Sequence, residues 1–438
     1  MKVIGIRRES KNEWEKRTPF TPGDVRELKD KHGIHTIVQP SQIRIFSDDE
    51  YCQAGAEINE DLSQARVIFA IKEIPLKFLE PGKTYVFFSH TIKGQDYNMD
   101  MLRRLKDLKT NLIDYERIMD ENNRRLIFFG EYAGLAGMIE TLHCFGKKLK
   151  MQGFDTPFDR IRQAYQYGSL EEAKAHVVEV GEEISRDGLP RELCPLVTGF
   201  AGYGNVSRGA QEIFDLLPHK VVSPLTLIEM AESFASDRHV LYKVVFKEED
   251  LVKPRQGDFD LQDYYDFPEK YESRFEDYIP HLQILVNCIY WTEKYPRLVT
   301  KQYLKDQTVL QSNLNLRVIG DISCDIDGSI EITYKATMPD NPCFTYLALQ
   351  DVFQDGVVRQ GVSVMAIDNL PCEFPRESSR YFSSVLKEFA DELIQADYSE
   401  SFENLALSSP LKKGLVLQNG EFTDEYQYMQ TFLDGRST

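Results

Sequence analysis

The chain lacks the features of an exported, membrane-bound or nucleic-acid-binding protein. It has no run of about 20 apolar residues, the length needed to span a bilayer, and its start, MKVIGIRRES, lacks the apolar stretch of a signal peptide. Basic side chains are outnumbered: 52 lysines and arginines face 70 aspartates and glutamates, for a net charge of −18. Because this charge repels polyanions, we expect neither nucleic acid nor a membrane as partner, and we expect a soluble, cytoplasmic protein.

Signals for metal sites and for disulfides are also missing. The eight histidines form no H-E-x-x-H motif, and the seven cysteines form no C-x-x-C motif. The cysteines lie at positions 52, 144, 194, 288, 324, 343 and 372. We therefore predict no metal site, and we expect the cysteines to be reduced residues of the core.

The first 130 residues predict an α/β domain. A chain of 438 residues is longer than one hydrophobic core usually serves, so we expect two domains. Near the start, TPGDVRELKDKHG predicts a helix with Thr21 as its N-cap, Pro22 in its first turn and Gly33 after its end. Apolar runs alternating with helices are typical of a mostly parallel sheet covered on both faces. The predicted strands lie in KVIGIRR, HTIVQP, RVIFAIKE, TYVFFSH, TNLIDYE and RLIFFGE.

A long helix and a second βα series follow. Residues 131–152 predict the helix, and its small residues permit close backbone packing; they are Ala133, Gly134, Ala136 and Gly137. The later strands are predicted in LCPLVTGF, HKVVSP, LQILVNCIYW and LRVIGDIS. Residues 247–280 are acidic and rich in tyrosine, and we interpret them as an insertion that forms a solvated surface or, less simply, a lid.

A glycine-rich turn at residues 198–214, TGFAGYGNVSRGAQEIF, predicts a dinucleotide site. Gly202 and Gly204 fit the two glycines that allow a tight turn and a close approach of the backbone to a pyrophosphate, and Ser207 stands at the third position. The expected strand–helix–strand frame surrounds the turn, which favours a cofactor site over a turn without a ligand. The expected contact residues are Gly202, Tyr203, Gly204, Asn205, Val206 and Ser207.

The choice between NAD and NADP depends on the residue that reaches the adenosine ribose. An acidic residue is expected about 20 positions after the turn, at the end of the next strand. Ser223 stands there instead, and we take it as a further cofactor-binding candidate. Because a carboxylate would repel a 2′-phosphate, its absence favours NADP, with NAD as the alternative.

Three predicted strands of the first domain end in ionisable residues, Lys72, His90 and Glu116. Carboxyl ends of parallel strands meet at one edge of a sheet, where ligands bind. A lysine after an apolar run is partly desolvated and so a candidate base, and histidine suits proton transfer near neutral pH. Arg17 could hold a substrate carboxylate, and Asp321 ends a strand of the second domain. Taken singly, each is better explained as a solvated or capping residue, whereas the three strand-end residues together make catalysis and a structural role about equally well supported.

Several ordered motifs resemble the lysine-ketoglutarate reductase part of the bifunctional aminoadipic semialdehyde synthases, in the broader family of saccharopine and alanine dehydrogenases. They are RRESKNEWEKRTPFTP, AIKEIP, FSHTIKGQ, GEYAGLAGM, TGFAGYGNVSRGAQEIFDLLP, LVNCIYW, VIGDISCDIDGSIE and AIDNLPCEFP. The resemblance runs nearly end to end, and we expect a free-standing reductase.

The resemblance implies an α/β fold of two doubly wound, Rossmann-like domains with the active site in a cleft between them. The substrate domain would comprise residues 1–130 and about 340–438, and the dinucleotide domain residues 131–339. The implied reaction condenses L-lysine with 2-oxoglutarate, using NADPH, to give saccharopine reversibly. The partners would be these small molecules, and the sequence does not indicate an oligomeric state.

The resemblance also implies roles for individual residues. Lys72 matches the family's catalytic lysine and His90 its catalytic histidine, so we assign Lys72 to acid–base work on the amine and His90 to proton transfer at the carbonyl-derived oxygen. Arg17 matches a substrate-binding arginine. Glu116 would tune Lys72 or hold the amine, and Asp321 would lie near the nicotinamide and the substrate. In the bifunctional enzymes an acidic residue stands at the position of Ser223. This chain departs from the family pattern there, and the departure bears on the choice between NADP and NAD.

Two other functions remain open on the sequence alone. One is an amino-acid or opine dehydrogenase with different substrates on the same scaffold. The other is a nucleotide-binding regulatory protein without catalysis, against which the presence of Lys72, His90 and Arg17 argues.

Overall fold

The computed structural model describes residues 2–230, 237–310 and 314–435. The chain forms two compact units: the first combines Met1–Phe129 with Pro375–Thr438, and the second is the continuous stretch Gly130–Phe374. The sequence placed the return to the first domain at about residue 340. The structure places it at Pro375, because strands within residues 343–365 pair with the second unit's sheet.

The first unit begins with strands that alternate with helices. In chain order these are β1 (Val3–Ile6), α1 (Pro22–His32), β2 (His35–Val38), α2 (Asp48–Gln53), β3 (Glu57–Ile58), β4 (Val67–Phe69), β5 (Thr84–Phe87), α3 (Met99–Asp107) and β6 (Asn111–Asp114).

The second unit begins at Gly130 with a long helix. It contains α4 (Gly130–Gln152), α5 (Leu170–Asp187), β7 (Val197–Ala201), α6 (Asn205–Phe214), β8 (His219–Val221), α7 (Pro224–Met230), β9 (Leu241–Phe246), α8 (Glu248–Leu251), β10 (Val252–Pro254), α9 (Leu261–Asp266), β11 (Tyr271–Ser273), β12 (Ile284–Asn287), α10 (Lys301–Leu310), β13 (Val318–Asp321), β14 (Cys343–Leu347), β15 (Val352–Asp355) and β16 (Val362–Met365).

The C-terminal segment completes the first unit. Its elements are α11 (Pro375–Gln395), α12 (Ser409–Gly414), β17 (Leu415–Gln418), β18 (Glu421–Phe422) and α13 (Gln430–Asp434).

The first sheet has the strand order β18-β17-β6-β5-β4-β1-β2-β3. Strands β1 to β6 are parallel to one another, whereas β17 and β18 are antiparallel additions at one edge, next to β6. The order 3-2-1-4-5-6 is that of doubly wound sheets, in which ligands bind at the carboxyl ends of the strands near the reversal between strands 1 and 4. In this unit the reversal lies between β1 and β4.

The second sheet has the order β15-β14-β16-β13-β12-β7-β9-β8. Its strands are parallel except β14 and β15, which form an antiparallel edge. Neighbouring residues of its strands enter different core clusters: Ile284 and Val286 pack with α4 to α6, and Leu285 packs on the opposite face. Both faces are therefore covered, and the predicted α/β class with doubly wound sheets is confirmed.

Local sequence signals explain the first helix. The Thr21 side chain accepts a hydrogen bond from the amide of Asp24, Pro22 opens the helix, and Gly33 ends it with φ +65°. These are the cap, first-turn and terminating features that the sequence predicted.

Two predictions about local structure are wrong. RLIFFGE forms no strand: beyond a single bridge between Met119 and Arg125, its apolar residues pack as core, with Phe129 stacked on Phe382 at 4.6 Å. The cysteines are not all reduced, since Cys144 of α4 and Cys343 of β14 form a disulfide. The spacing of 199 residues gave no signal of this pairing, because it depends on how α4 packs against the sheet.

Within the described residues, no helix is both long and apolar enough to cross a membrane. The same residues contain no group of three or more histidine, cysteine or acidic side chains that could hold a metal ion.

Candidate functional site

Lys72, His90 and Glu116 lie along one edge of the first sheet. They follow the ends of β4, β5 and β6 by no more than three residues, and these three strands are parallel neighbours. Adjacent strands are about 4.8 Å apart, so the predicted set shares the edge at which doubly wound sheets bind ligands. Their catalytic roles remain predictions.

The backbone at Lys72 is bound to a buried carboxylate, that of Glu9. Glu9 accepts hydrogen bonds from the amides of Ile71 and Lys72, at 2.6 and 3.1 Å, and burial raises the pKa of Glu9 to about 7. Burial, followed by the positive charge of Arg17, lowers the pKa of the Lys72 ammonium. In the described part of the chain no acceptor takes a hydrogen bond from its Nζ atom. Both effects, burial and the Arg17 charge, favour the neutral amine of Lys72 more than in an exposed lysine, and a neutral amine can accept a proton.

His90 is paired with a carboxylate that the sequence did not single out. Its Nδ1 atom lies 2.7 Å from Oε1 of Glu73. Burial alone would raise the pKa of Glu73, but the hydrogen bond and charge of His90, with Lys11 at 3.3 Å, hold it far below its usual value. Glu73 thus stays ionised and fixes the ring, as the acid of a catalytic dyad does. The sequence signal that could have identified Glu73 is its position directly after Lys72 in AIKEIP.

The backbone at His90 is in the left-handed region, with φ +49°. Few residues other than glycine adopt this conformation, and it is frequent at functional sites. Asn98 stabilises it: its side-chain amide donates to the carbonyl oxygens of Ser89 and His90, at 3.0 and 3.3 Å. The backbone and the ring of His90 are therefore both held in place by hydrogen bonds.

Arg17 is buried and already holds a carboxylate. Its Nε and Nη2 atoms donate to the two oxygens of Glu15, at 2.7 and 2.6 Å, and its guanidinium lies 4.3 Å above the Phe129 ring. This is the bidentate geometry expected for a substrate carboxylate, with Glu15 as the occupant. A substrate would have to compete with Glu15, and the substrate role of Arg17 remains a prediction.

Glu116 lies at the far end of the row. Its amide donates to Asp114, and its carboxylate lies 3.9 Å from Arg125. Asp114 is fully buried and accepts from the amide of Ser89, and burial raises its pKa to about 6. The β5 and β6 ends are thus tied together next to His90.

The glycine turn joins β7 to α6. Gly202 has φ +95°, which disfavours any side chain, and a Cβ added at Gly204 would meet no atom within 4 Å. The first helical residues are Asn205, Val206 and Ser207, so their amides point out of the N-terminus of a ten-residue helix. The turn is open, and its geometry fits a pyrophosphate.

Close packing of α4 on α6 fixes the start of that helix. A Cβ at Gly134 would overlap the carbonyl oxygen of Val206, and one at Gly209 would overlap that of Glu131. Ser207 is fully buried. The close approach predicted for the small residues of α4 is confirmed, and it positions the amides next to the turn.

A pocket of about 520 Å³ adjoins the turn. Its lining includes Gly202, Tyr203 and Gly204 together with aromatic side chains such as Tyr264, Tyr290 and Trp291. Tyr264 comes from the segment 247–280, which contains the β10–β11 hairpin and buries Tyr264, Tyr271 and Phe275. That segment is therefore not simply a solvated surface, since it forms a wall of the pocket.

The structure does not place Ser223 beside the glycine turn. The sequence assumed that the strand after α6 neighbours β7, but β9 lies between β7 and β8. Ser223 follows the edge strand β8 and caps α7, with its Oγ accepting from the amide of Thr226 at 3.0 Å. Strand β9 itself, in LYKVVF, was missed by the sequence analysis; the residues after it, Lys247 and Glu248, line the pocket.

Asp321 is buried at the end of β13. It accepts hydrogen bonds from Asn287 at 2.8 Å, from Thr333 at 2.6 Å and from the Cys324 amide at 3.2 Å, and burial raises its pKa to about 6. These bonds tie β13 to β12. Contact with a nicotinamide or a substrate remains a prediction for this residue.

Two family models match the chain. The model for the alanine dehydrogenase/PNT N-terminal domain matches residues 5–136, and that for the alanine dehydrogenase/PNT C-terminal domain matches residues 238–425. An L-alanine dehydrogenase structure covers 99% of both chains with a TM-score of 0.61 at 15% identity. A transhydrogenase structure from Sinorhizobium meliloti covers 96% of this chain and 100% of its own, with a TM-score of 0.55 at 15% identity. These structures share the fold.

Two groups of relatives are similar in sequence. An alpha-aminoadipic semialdehyde synthase of Arabidopsis thaliana is 40% identical over 98% of this chain and 41% of that protein. Its mouse counterpart, named mitochondrial, is 36% identical over 99% of this chain and 48% of that protein. The chain thus spans less than half the length of these relatives. A saccharopine dehydrogenase (NAD(+), L-lysine-forming) of Yarrowia lipolytica is 26% identical over 87% of this chain and 90% of that protein.

Proposed function

The chain belongs to the alanine dehydrogenase/PNT family, and on that premise we propose that it is a reductase that condenses L-lysine with 2-oxoglutarate at the expense of a reduced pyridine dinucleotide, giving saccharopine and water reversibly. The observation that carries this proposal is that the same chain aligns with two groups of relatives. The chain aligns with less than half of the aminoadipic semialdehyde synthases, yet with 90% of a lysine-forming saccharopine dehydrogenase. We therefore assign the saccharopine reaction to the part of the synthases with which this chain aligns.

Lys72 would prepare the nucleophile. The ε-ammonium group of substrate lysine must lose a proton before its nitrogen can attack the keto carbon. The lowered pKa of Lys72 makes its neutral amine available to take that proton. Glu9 holds the backbone amide of Lys72 in place.

His90 would remove water from the carbinolamine. Attack leaves a hydroxyl on the former keto carbon, and this group departs as water only after it gains a proton. The imidazole, fixed by Glu73 at 2.7 Å, is placed to supply it. Lys72 and His90 then exchange protons with solvent and return to their starting forms.

The remaining candidates would bind the substrates. Arg17 would hold a substrate carboxylate, Glu116 would hold the amine or tune Lys72, and Asp321 would lie near the nicotinamide. All three roles come from the family pattern, and those of Glu116 and Asp321 also from their positions at strand ends.

The second unit would hold the dinucleotide. Gly202, Tyr203 and Gly204, with the amides of α6 from Asn205 to Ser207, would bind the pyrophosphate. When bound, the reduced dinucleotide supplies the hydride that converts the imine carbon to an amine carbon. The sequence favoured NADP because Ser223 replaces an acid, and that reason no longer holds once β9 separates β8 from β7. The pyrophosphate contacts suit either nucleotide.

The test is oxidation of NADH and of NADPH by the purified chain with lysine and 2-oxoglutarate, with saccharopine identified by mass spectrometry. Parallel assays offer alanine, or pyruvate with ammonia. Turnover with lysine and 2-oxoglutarate, and not with the other substrates, supports the proposal. Turnover only with the other substrates would instead support a different amino-acid dehydrogenase. Nucleotide binding without any turnover would support a regulatory protein.

The cytoplasmic location expected from the sequence remains a prediction. The mouse relative is named mitochondrial, and fractionation of cells that express this protein decides between the two compartments.

A further inference from the structure

A cavity at the amino ends of the strands of the second sheet has the chemistry of an anion site. We propose that it binds one phosphate group, as free phosphate or as the phosphate of a small ester, and that this site is separate from the dinucleotide site. The inference does not rest on the proposed function, because it concerns residues of the second unit to which the reaction assigns no role.

The cavity lies next to the first residues of two neighbouring strands. Arg317 directly precedes β13 and Gly361 directly precedes β16, and these strands are parallel. Both residues line the cavity, which has a volume of about 110 Å³. The glycine turn follows the carboxyl end of β7, which belongs to the same parallel set. Because the length of a strand, about 10 Å or more, separates the two ends, a ligand in this cavity would not occupy the dinucleotide site.

The cavity is lined by positive and neutral side chains. Two of its residues are arginines, Arg317 and Arg359, and among the described residues that line it none is acidic. Its other polar side chains include the amides of Gln152, Gln350 and Gln360. The chain as a whole has a net charge of −18, so this local excess of positive charge runs against the overall composition. It favours an anion as the ligand.

Arg317 is oriented by neutral partners and has no counter-ion. Its Nε atom donates to Oε1 of Gln152 at 3.0 Å, and its Nη1 atom donates to the backbone and side-chain oxygens of Asn315, at 2.9 and 3.3 Å. Within the described ranges no acceptor takes a hydrogen bond from Nη2, and no carboxylate pairs with the guanidinium. Burial lowers the pKa of this guanidinium. A partly buried charge without a counter-ion is costly, and a bound anion would neutralise it.

The loop that carries Arg359 is fixed on both sides. The Nζ atom of Lys148, a buried residue of α4, donates to three carbonyl oxygens of this loop at 2.7, 2.9 and 2.8 Å, those of Val358, Gln360 and Gly361. Nε2 of Gln152 donates to the carbonyl oxygen of Arg359 at 3.3 Å. Gln152 therefore links the backbone of Arg359 to the guanidinium of Arg317. The Arg359 side chain is exposed, and no acceptor in the described part of the chain binds it.

Size and geometry favour a single phosphate group. A water molecule needs roughly 10–15 Å³ of such space, so a cavity of about 110 Å³ has room for one phosphate but not for a dinucleotide. Guanidinium groups bind phosphate oxygens bidentately. A tetrahedral phosphate presents oxygens in several directions, so it can bind Nη2 of Arg317 and the free guanidinium of Arg359 together.

The experiment is calorimetric titration of inorganic phosphate into the whole chain at constant ionic strength. We expect one phosphate per chain, and Arg359→Gln should weaken its binding about 10- to 100-fold, the loss expected for charge-assisted hydrogen bonds. Arg191→Gln is the matched control: it removes the same charge from an exposed arginine of the same unit that does not line the cavity, and it should leave the affinity unchanged. Arg317→Lys keeps the positive charge but loses the planar group that Gln152 and Asn315 orient, so it should also weaken binding. Circular dichroism checks that each variant is folded.

A second titration contains saturating NADH, which we expect to leave phosphate binding unchanged. Loss of phosphate binding in the presence of NADH would place the anion at the glycine turn and overturn the inference. Equal affinity of Arg359→Gln and wild type, or no binding to wild type, would overturn it as well.

Two further ligands define the anion. Acetate should bind more weakly than phosphate, and equal affinity for acetate would contradict a phosphate site. Glycerol 3-phosphate that binds at least as tightly as phosphate would identify an ester as the ligand, and weaker binding would identify free phosphate; both results support the site. The lysine assay tests the proposed function independently of all these titrations.

Discussion

At the end of β4, Lys72 is suited to act as a base because burial lowers the pKa of its ammonium group. Lys72→Met retains the length and apolar stem of the side chain but removes the base. We expect kcat for saccharopine formation to fall by about 10²- to 10⁴-fold, the usual contribution of a general base. Steady-state kinetics measure this loss, and calorimetry should show that nucleotide binding persists, since the glycine turn belongs to the other unit.

Lys77→Met is the matched control for this change. Lys77 is an exposed lysine five residues further on, next to the Phe78 ring, and its replacement should leave kcat unchanged. Full activity of Lys72→Met would refute the assigned role.

Glu73 acts on the reaction only through His90, so it is a positioning residue. Glu73→Gln keeps a hydrogen-bond acceptor for the ring but removes the charge 2.7 Å from Nδ1. We expect kcat to fall about 100-fold. The KM values for lysine and 2-oxoglutarate should change little, because Glu73 acts through His90 and not on a substrate.

Glu73→Asp keeps the charge and should restore part of the rate. A merely structural role for Glu73 would lower kcat equally in both variants, and that outcome would contradict the dyad.

Single residues at strand ends could be predicted from the sequence, but their partners could not. Lys72 and His90 follow apolar runs, and the ends of such runs meet at one edge of a parallel sheet. The pairing of Glu73 with His90 crosses from the end of β4 to the end of β5 and depends on the left-handed backbone at His90. Neither the crossing nor that conformation has a signature in the order of residues.

At the scale of elements, the contact of α4 with α6 requires glycine on both helices. In Gly134→Ala the new methyl group would overlap the carbonyl oxygen of Val206. The helices would have to separate, and we expect a loss of about 1–3 kcal/mol or more in the free energy of unfolding. Urea unfolding followed by circular dichroism measures it.

Gly23→Ala provides the comparison within a helix. A Cβ at Gly23 of α1 would be 3.8 Å from Oγ1 of Thr21, an ordinary contact. Alanine there should leave stability unchanged or raise it by up to about 1 kcal/mol. Equal effects of the two substitutions would show that the α4–α6 contact does not demand glycine.

The elements themselves were more predictable than their arrangement. The cap, start and end of α1 are local signals, and they form as the sequence indicates. The insertion of β9 between β7 and β8, and the addition of β14 to β16 to the second sheet, depend on pairing between distant segments. Strand order cannot be inferred from the pattern of a single strand, so neither the place of β9 beside β7 nor the return to the first unit at Pro375 could be predicted.

At the scale of the whole molecule, stability should depend on pH through buried carboxyl groups. Glu140 of α4 is fully buried, accepts from the Ala164 amide at 2.5 Å and has its pKa raised by burial to about 7. An acid with a raised pKa in the folded state stabilises the fold below its unfolded value, near 4.5, and this contribution is lost as pH rises through about 7.

Glu140→Gln keeps the side chain neutral at every pH and should remove this dependence. Between pH 5 and 8, the wild-type free energy of unfolding should fall relative to that of the variant, by on the order of 2–4 kcal/mol. Urea titrations of both proteins across this range report the buried pair of Glu140 and Glu373, whose titrations are coupled, because groups away from this pair are common to both proteins. Parallel curves would contradict the assignment.

The first unit combines residues 1–129 with residues 375–438, so it cannot be completed until the second of these segments has been synthesised. Its core contains Phe382 and Leu386, and β17 pairs with β6. While the ribosome makes Gly130–Phe374, the nascent chain lacks these partners, for tens of seconds at about 5–20 residues per second. We expect the second unit to reach its native state first, and the N-terminal strands to need protection from aggregation until residues 375–438 emerge.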